Sequence, residues 1–450
     1  MLADNDTAEM QTFCETLHPA TVAEALADEY SSEEVWRILS QTNIANQALI
    51  FEYFPIDWQV KLVEGTGRQH MARLIEQMSH DDRADLLRRL NPRVAESLLR
   101  LVDEADRRDI ATLVKYPENS AGALMTTDYA WLPAHITAAE ALDRLRCQAP
   151  DKETIYYVYV LDDQRHLLGV VSLRDLILAD RQTVLSDLME KEVVRVRATD
   201  DPEHVAQEIA RYDLLAIPVV DEENRLVGII THDDVMDVVV QEATEDVHRL
   251  GAVGPIAENY LEANFLTVWR KRVIWLACLF VAELFTFTAM AHFEDEIAKI
   301  VVLSLFIPLC ISTGGNSGSQ AATLIIRAMA LGQVTVGDWW RVLRHELLMG
   351  LALGCALGAI GFVRAFFTPQ STLNPPSQSI IVEPLQFSWV IAQAVCIICV
   401  WGTLVGSMLP IIFKRIHVDP GVASSPFVAT FVDVTGIVFY FSIAKMYLPF

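Results

Sequence analysis

The chain has 450 residues, which is long enough for several domains, and it combines a hydrophobic fraction of 52% with a formal net charge of −24. Residues 1–269 hold 50 of the 59 acidic residues and a net charge of −26, whereas residues 270–450 are nearly neutral at +2. The acidic half argues against nucleic acid as a partner, because phosphates would be repelled, and it suits either cations or simple solubility.

The first 122 residues predict an acidic α-helical domain. The opening 30 residues are polar, without a basic stretch followed by an apolar one, so no cleavable secretory signal is expected. Further on, Leu, Ile and Val recur at three- and four-residue spacing in segments such as "HDDRADLLRRL" (80–90) and "NPRVAESLLRLV" (91–102), which meet at Asn91-Pro92. This pattern predicts a stack of short amphipathic helices.

An internal repeat follows, over residues 123–186 and 187–245. The segment "YYVYVLDDQRHLLGVVSLRDLIL" (156–178) matches "LLAIPVVDEENRLVGIITHDDVMD" (214–237) in pattern. Each copy has a β-branched strand, an acidic turn, a glycine (Gly169 or Gly228), a second strand and the start of a helix. Two copies predict a pseudo-twofold pair of α/β modules rather than a solenoid.

The repeat resembles a tandem of cystathionine-β-synthase-type (CBS) domains, which often bind adenine nucleotides between the two modules. The motif of that family is present as "GVVSLRD", with Ser172 and Asp175, and as "GIITHDD", with Thr231 and Asp234. A hydroxyl at a helix start can contact a phosphate, and the resemblance implies that the aspartates hold ribose. In the alternative reading the hydroxyls only cap helices and the aspartates stabilise the helix dipole.

Residues 246–271 are expected to form a connecting helix with a Gly-Pro break, and residues 272–450 a membrane domain. Crossing about 30 Å of hydrocarbon requires about 20 apolar residues. Four runs are clear, near 273–291, 346–367, 388–413 and 424–448, and a fifth runs from about 297 to 331, interrupted by "STGGNSGSQ". The five cysteines of this half lack metal-ligand spacing and predict packing.

Basic residues predict the orientation of these five spans. "WRKR" (269–272), Arg341, Arg344 and the pair Lys414-Arg415 lie on one side, and the loops on the other side are poor in bases. The chain is therefore predicted to be a multi-pass protein of the cell membrane, in contact with lipid, with a cytoplasmic N-terminus and an external C-terminus.

Three polar features at membrane depth indicate function. Asp433 lies within "PFVATFVDVTGIVFYF" (426–441), where a charge is costly and a functional role is favoured, and Glu283 is a weaker case. In the interrupted run, Asn316 and Gln320 supply carbonyl oxygens, and small residues permit close helix packing or unwound backbone. Oxygen ligands suit Mg²⁺, and the lack of a thiol or His cluster argues against Zn²⁺ or Cu⁺.

The whole chain resembles the MgtE family of Mg²⁺ channels. The resemblance rests on the domain order and on "EATEDVHRLGAV" (242–253), "TGGNSGSQAATLIIRA" (313–328) and "VDPGVASSPFVATFVDVTG" (418–436). It implies a helical N domain, a CBS pair, a connecting helix and five spans, assembled as a homodimer whose second and fifth spans line the pore. Residues implied to line that pore or bind Mg²⁺ in it are Asn316, Gln320, Ser425, Ala429 and Asp433.

Two departures from the family pattern lie near the presumed pore. Ser425 stands where members often carry Asn, and "GGNSGSQ" replaces "GGNTGNQ", which makes Ser319 the second replacement. The family also implies that cytosolic Mg²⁺ closes the pore by bridging acids, because a shared ion turns carboxylate repulsion into attraction. The acids implied for this role are Asp81, Asp85, Asp221, Asp246, Glu258 and Asp419, and ATP is a further possible ligand.

Alternative functions differ in the groups they need. A H⁺- or Na⁺-coupled transporter of divalent cations (Mg²⁺ or Co²⁺) would need further titratable groups at depth, for which only Glu283 stands out. An intramembrane aspartyl protease needs two aspartates sharing a proton, and neither a "GxGD" sequence nor a second motif is found. A nucleotide sensor without transport leaves the polar membrane motifs unexplained. No enzyme activity is predicted.

Overall fold

A computed structural model describes residues 7–256, 260, 263–376 and 380–449 of the chain. The protein folds into two compact units, Met1–Val239 and Val240–Phe450. The boundary falls inside one helix, His232–Leu250, which therefore contributes residues to both units.

The first part of the N-terminal unit is a succession of short helices. Each helix contacts the helix two places further along the chain, from the first helix through to the ninth, which is the contact pattern of stacked helical hairpins. This confirms the helical stack predicted from the periodicity. The helices are α1 (Thr7–Thr16), α2 (Pro19–Glu29), α3 (Ser32–Leu39), α4 (Ile44–Glu52), α5 (Ile56–Glu64), α6 (Arg68–Ile75), α7 (His80–Arg89), α8 (Pro92–Leu99), α9 (Glu104–Leu113) and α10 (Ala121–Leu124).

Polar side chains fix where these helices begin. Ser31 and Glu34 form a capping box at the start of α3, with the Ser31 amide donating to Glu34 Oε2 at 2.9 Å. At the predicted break, Asn91 Oδ1 accepts a hydrogen bond from the Arg93 amide at 3.1 Å, and Pro92 occupies the first turn of α8. The Asn-Pro pair therefore starts a helix as well as ending the previous one.

The CBS region contains two small sheets of the same design, as the repeat predicted. In each sheet the central strand pairs in parallel with the first strand and antiparallel with the third. The strands are β1 (Tyr129–Pro133), β2 (Thr154–Leu161), β3 (Leu167–Ser172), β4 (Val196–Arg197), β5 (Ala216–Val220) and β6 (Leu226–Thr231). The helices are α11 (Ala138–Gln148), α12 (Leu173–Leu178), α13 (Leu185–Leu188), α14 (Pro202–Tyr212) and α15 (His232–Leu250).

The two repeat glycines hold equivalent places where another chain segment crosses the sheet. A Cβ on Gly228 would lie 2.8 Å from the carbonyl oxygen of Thr126, and a Cβ on Gly169 would lie 2.8 Å from that of Glu190. Thr126 pairs with Ile229 of β6, and Glu190 pairs with Val170 of β3. Only glycine permits these approaches, so the repeat glycines mark where the crossing segment contacts the sheet in each copy.

The C-terminal unit is built from long helices. Four candidate membrane spans meet the length and hydropathy requirement among the described residues: Phe265–His292, Val336–Phe366, Pro384–Arg415 and Ser425–Tyr447. They coincide with the four clear apolar runs. The helices are α16 (Phe265–His292), α17 (Glu294–Lys299), α18 (Val302–Ala330), α19 (Trp339–Phe366), α20 (Gln370–Leu373), α21 (Pro384–Arg415) and α22 (Ser425–Tyr447).

The interrupted run forms one continuous helix, α18, of 29 residues. At 1.5 Å per residue it is about 43 Å long, which exceeds the hydrocarbon thickness. "STGGNSGSQ" is helical throughout, so of the two possibilities raised by its small residues, close packing applies and unwound backbone does not. The small residues pack against α21: a Cβ on Gly402 would lie 2.2 Å from the carbonyl oxygen of Gly314.

Candidate functional site

Asp433 lies on α22 where this helix meets α18. Gly315 of α18 faces it, since a Cβ built on Gly315 would lie 3.5 Å from Asp433 Oδ1 and 3.4 Å from the Cβ of Ala429. Ala429 and Asp433 are four residues apart and share one face of α22. Because Gly315 has no side chain, a space about the size of a methyl group lies between α18 and the Asp433 carboxylate.

The two serines that depart from the family pattern are in contact. Ser319 Oγ donates a hydrogen bond to the Ser425 carbonyl oxygen at 3.1 Å, which joins α18 to the first turn of α22. Asn316 and Gln320 are exposed on the surface of the single chain, and Asn316 Nδ2 donates to Ser312 Oγ at 3.3 Å. Three of the implied pore residues thus lie on α22, and two lie on an exposed face of α18.

Glu283 is an electrostatic neighbour of Asp433. It belongs to α16, which packs against α22, and its side chain is exposed on the single chain. Two carboxylates from different helices therefore share one region of the C-terminal unit. In a medium of low dielectric constant such a pair attracts a cation or a proton.

A cluster of acids gathers at the first turns of α7 and α15. Burial raises the pKa of Asp81 well above its usual range, and the nearby charges of Asp234 and Asp82 add to the rise. Burial likewise raises the pKa of Asp234 to about 7, with contributions from Asp233 and Asp82. These carboxylates repel one another, and a bound cation would relieve the repulsion.

Two other acids implied as Mg²⁺ ligands have local structural roles. Asp85 is half-exposed and forms an ion pair with Arg88 at 2.6 Å. Asp221 Oδ1 accepts hydrogen bonds from the amides of Glu223 at 3.0 Å and Arg225 at 2.8 Å, which closes the turn between β5 and β6. Neither side chain needs a metal to have a partner.

The predicted nucleotide residues differ between the two modules. Ser172 caps α12, accepts from the Asp175 amide at 3.0 Å and lines a groove of 610 Å³ together with Tyr157 and Arg174. Thr231 is buried and donates to the Asp234 carboxylate, which lies in the acidic cluster. The first module therefore offers a phosphate both a hydroxyl and a cation, whereas the acids beside Asp234 would repel it.

The last two described acids of the implied set lie beside arginines. Asp419 forms an ion pair with Arg249. Burial raises the pKa of Asp246, and the charges of Arg249 and Arg327 oppose that rise. Glu258, the remaining implied ligand, lies outside the residues that the structure describes. Asp419 is thus paired with a side chain of the protein itself, whereas Asp246 has only the nearby charges of two arginines.

Acids cluster in this conformation without forming a complete metal site. Within residues 7–256, 260, 263–376 and 380–449, no group of three or more His, Cys, Asp or Glu side chains is arranged to hold a metal ion. A Mg²⁺ ion keeps several of its waters and needs only one or two carboxylates, which a group of three ligands is not required to supply.

An ionic network that the sequence analysis missed surrounds His80. Its Nδ1 lies 2.6 Å from Asp109 and its Nε2 lies 2.6 Å from Asp128. Burial lowers the pKa of His80, but the hydrogen bonds to these carboxylates outweigh burial and raise it. Buried Arg83 reaches Asp109 at 3.2 Å. The only signal in the sequence was the spacing of His80 and Arg83, three residues apart on one helix face.

Family models match three successive parts of the chain. A model described as "MgtE intracellular N domain" matches residues 17–119, and CBS domain models match residues 121–181 and 185–241. A model described as "Divalent cation transporter" matches residues 307–443, which include Asn316 and Asp433.

Full-length relatives give the same result. The magnesium transporter MgtE of Thermus thermophilus is 38% identical over 450 residues, covering 99% of this chain and 97% of its own length. That of Bacillus subtilis is 29% identical and covers 100% and 96%. A solved cytosolic domain of the Mg²⁺ channel MgtE in complex with ATP is 39% identical, with a TM-score of 0.51, covering 53% of this chain and 96% of that structure. The chain belongs to the MgtE family of magnesium transporters.

Proposed function

We propose that this chain forms a channel that conducts Mg²⁺ into the cell and closes when cytosolic Mg²⁺ binds its acids. The observation that carries the proposal is the position of Asp433, whose carboxylate faces Gly315 of α18 across a space left by the missing side chain. Charged residues at membrane depth are rare, face the interior of the helix bundle or a water-filled cavity, and mark the paths of ions. Asp433 is the group on this helix face that would attract the transported ion.

The surroundings of Asp433 suit a hydrated ion. Mg²⁺ gives up its waters reluctantly and is recognised through them. Gly315 leaves room beside the carboxylate, and Asn316 and Gln320 supply amide groups one position and five positions further along α18. These groups can accept hydrogen bonds from the waters of the ion without stripping them from it.

The proposed assembly is a homodimer with five spans in each chain, embedded in lipid, with the N-terminus in the cytosol and the C-terminus outside. Helix α18 supplies the additional span, because it is long enough and packs against α21 and α22. In a single chain the amides of Asn316 and Gln320 are exposed at membrane depth, which is costly in hydrocarbon. A second copy across this face would shield them and place two Asp433 carboxylates on one axis.

A coupled transporter is the second candidate, and Glu283 favours it. Its carboxylate is an electrostatic neighbour of Asp433, and a pair of carboxylates can exchange a proton as a cation enters or leaves. The same pair can also serve a channel by raising the local negative potential. Dependence of flux on a proton gradient separates the two functions.

The acidic cluster supports control by cytosolic Mg²⁺. Asp81 and Asp234 would hold the ion between α7 and α15, and Asp82 would add negative charge. When bound there, Mg²⁺ would supply the positive charge that the cluster lacks. Asp246 would provide a further carboxylate in the C-terminal unit, and Asp419 would provide another once released from Arg249.

Neutralising one acid of the cluster tests this role. In EDTA, Asp234→Asn is expected to raise the free energy of unfolding of the N-terminal unit by about 1–2 kcal/mol, because repulsion from Asp81 and Asp82 is removed. Millimolar Mg²⁺ should stabilise the wild type and leave the variant almost unchanged, as followed by thermal unfolding of the full chain. Asp175→Asn is the matched control, at the same motif position but on an exposed site of the first module. Equal stabilisation of Asp234→Asn and wild type by Mg²⁺ would exclude Asp234 as a ligand.

Binding of ATP is proposed for the first CBS module. Ser172, Tyr157 and Arg174 line one groove, and a cytosolic domain 39% identical to this chain has been solved in complex with ATP. Arg174 would contact phosphate and Tyr157 would stack against adenine. Equilibrium dialysis of the full chain against ATP checks this, and an absence of saturable binding would remove the nucleotide from the proposal.

Flux through proteoliposomes tests the main proposal. We expect Mg²⁺ uptake that follows the Mg²⁺ gradient and the membrane potential, and that falls as Mg²⁺ on the cytosolic side rises to millimolar concentration. Collapsing the proton or sodium gradient should leave the uptake unchanged. Uptake that needs either gradient would instead establish the coupled transporter, and uptake insensitive to cytosolic Mg²⁺ would contradict the proposed gating.

A further inference from the structure

The end of helix α15 is held to the turn that precedes α22. Arg249, in the last turn of α15, forms ion pairs with Glu245 on its own helix and with Asp419. The stem of the same side chain packs on Gly421, where a Cβ would lie 3.0 Å from Arg249 Cβ and 3.2 Å from its Cδ. Asp419 Oδ1 also accepts from the Gly421 amide at 2.7 Å, which fixes the carboxylate towards the guanidinium.

The charges of Arg249 and Arg327 also act on Asp246, which lies three residues before Arg249 on α15. The geometric contact that holds the end of α15 is the one between Arg249 and the turn of Asp419 and Gly421. This turn precedes α22, the helix that carries Asp433.

The segment after α15 is also held by hydrogen bonds. The amide of Gly254 donates to the Lys271 carbonyl oxygen at 3.2 Å, and Lys271 Nζ donates to the Pro255 carbonyl oxygen. The Ile256 amide donates to His248 Nδ1 at 3.4 Å. The last turn of α15 is therefore anchored to α16 as well, and its charges are held in place beside their partners.

We propose that Arg249 is a built-in counter-ion of Asp419, which braces α15 against the turn that precedes α22 and which a divalent cation must displace to bind this carboxylate. The proposal rests on the proposed function, because it concerns one of the acids through which Mg²⁺ would close the pore. Here Arg249 acts as a positioning residue: it neutralises Asp419 when Mg²⁺ is scarce, and it sets the Mg²⁺ concentration at which closure occurs.

The sign of the effect follows from competition. A carboxylate paired with a guanidinium offers fewer free oxygens to Mg²⁺ or its waters, so losing the arginine strengthens Mg²⁺ binding. Arg249 and Asp419 are each about one-third exposed, at 33% and 35%, so their pairing is of the modest strength found for partly solvated ion pairs. A change of about two- to fivefold in apparent Mg²⁺ affinity is therefore expected.

The experiment compares Arg249→Gln with wild type in proteoliposomes. The cytosolic Mg²⁺ concentration that halves the flux is expected to fall about two- to fivefold in the variant. Arg415→Gln is the matched control, since Arg415 ends α21 and has no acidic partner among the described residues. An unchanged or raised half-closing concentration in Arg249→Gln would overturn the competition.

A measurement without metal tests the pair itself. In EDTA, Arg249→Asp and Asp419→Arg should each lower the unfolding temperature of the full chain by about 2–4 °C, and the double variant should recover at least half of that loss. Additive losses would overturn the pairing. If wild-type flux does not respond to cytosolic Mg²⁺, the proposed gating fails, whereas this charge exchange still decides whether Arg249 is the counter-ion of Asp419.

Discussion

Asp433→Asn is expected to reduce Mg²⁺ flux by about 30- to 150-fold. Asn has nearly the shape of Asp and still accepts a hydrogen bond, but it carries no charge. A hydrogen bond from a water of the ion contributes about 1.5–3 kcal/mol when the acceptor is charged and about 0.5–1.5 kcal/mol when it is neutral, so each of the two sites in a homodimer would lose about 1–1.5 kcal/mol. Because about 1.4 kcal/mol is a factor of 10, the combined loss of about 2–3 kcal/mol gives a factor of about 30–150. Mg²⁺ uptake into proteoliposomes measures it.

Two comparisons make this result specific. The variant should elute as wild type on gel filtration and unfold at a similar or higher temperature, because it removes a charge from an apolar setting. Glu283→Gln should retain most of the flux if the protein is a channel, since its carboxylate only adds to the local potential. If Asp433→Asn conducts Mg²⁺ as fast as wild type, Asp433 does not line the path of the ion. Loss of flux in Glu283→Gln together with dependence on a proton gradient would favour coupled transport.

Local patterns were enough to predict the elements of the fold. Gly169 and Gly228 lie in β3 and β6, and each strand is followed by a helix, as the repeat predicted. This prediction was possible because the residues that indicate the strand and the start of the helix all lie within about ten positions of each other. Four apolar runs coincide with candidate spans for the same reason. The fifth run was ambiguous, since Gly, Asn and Ser lower its hydropathy. In the structure this run packs closely against Gly402 and Gly406 of α21, a contact that sequence spacing does not reveal.

Contacts between distant residues could not be predicted. Asp234 fits a nucleotide motif, yet the charges that raise its pKa are those of Asp233 on its own helix and of Asp82 on α7, and its own charge raises the pKa of Asp81. Asp419 carries the right chemistry for Mg²⁺, but its partner here is Arg249. Motifs therefore identified which residues carry charge, whereas tertiary packing decides which opposite or like charges meet.

Gly406→Ala is expected to destabilise the C-terminal unit by at least about 3 kcal/mol. A Cβ on Gly406 would lie 2.0 Å from the carbonyl oxygen of Gly318. Gly318 is equally confined, because a Cβ built on it would lie 2.8 Å from the carbonyl oxygen of Gly402. Both obstacles are backbone, so no side-chain rotation relieves the overlap, and α18 and α21 must separate. Separation also removes van der Waals contacts, which are the main force between helices in lipid. Thermal unfolding in detergent, followed by circular dichroism, measures the loss.

The same substitution at Gly361 of α19 shows whether the effect comes from close helix contact. There a Cβ would lie 3.5 Å from Ile391 Cγ2, an ordinary van der Waals distance, so Gly361→Ala should be neutral or stabilising by up to about 1 kcal/mol through helix propensity. Equal stability of the two variants would show that α18 and α21 are not tightly packed at Gly318 and Gly406. Because α18 also carries Gly315 against Asp433, Gly406→Ala should lower Mg²⁺ flux as well, while Gly361→Ala should not. Flux would then depend on how closely α21 holds α18 in place, since the position of α18 determines the space beside the Asp433 carboxylate.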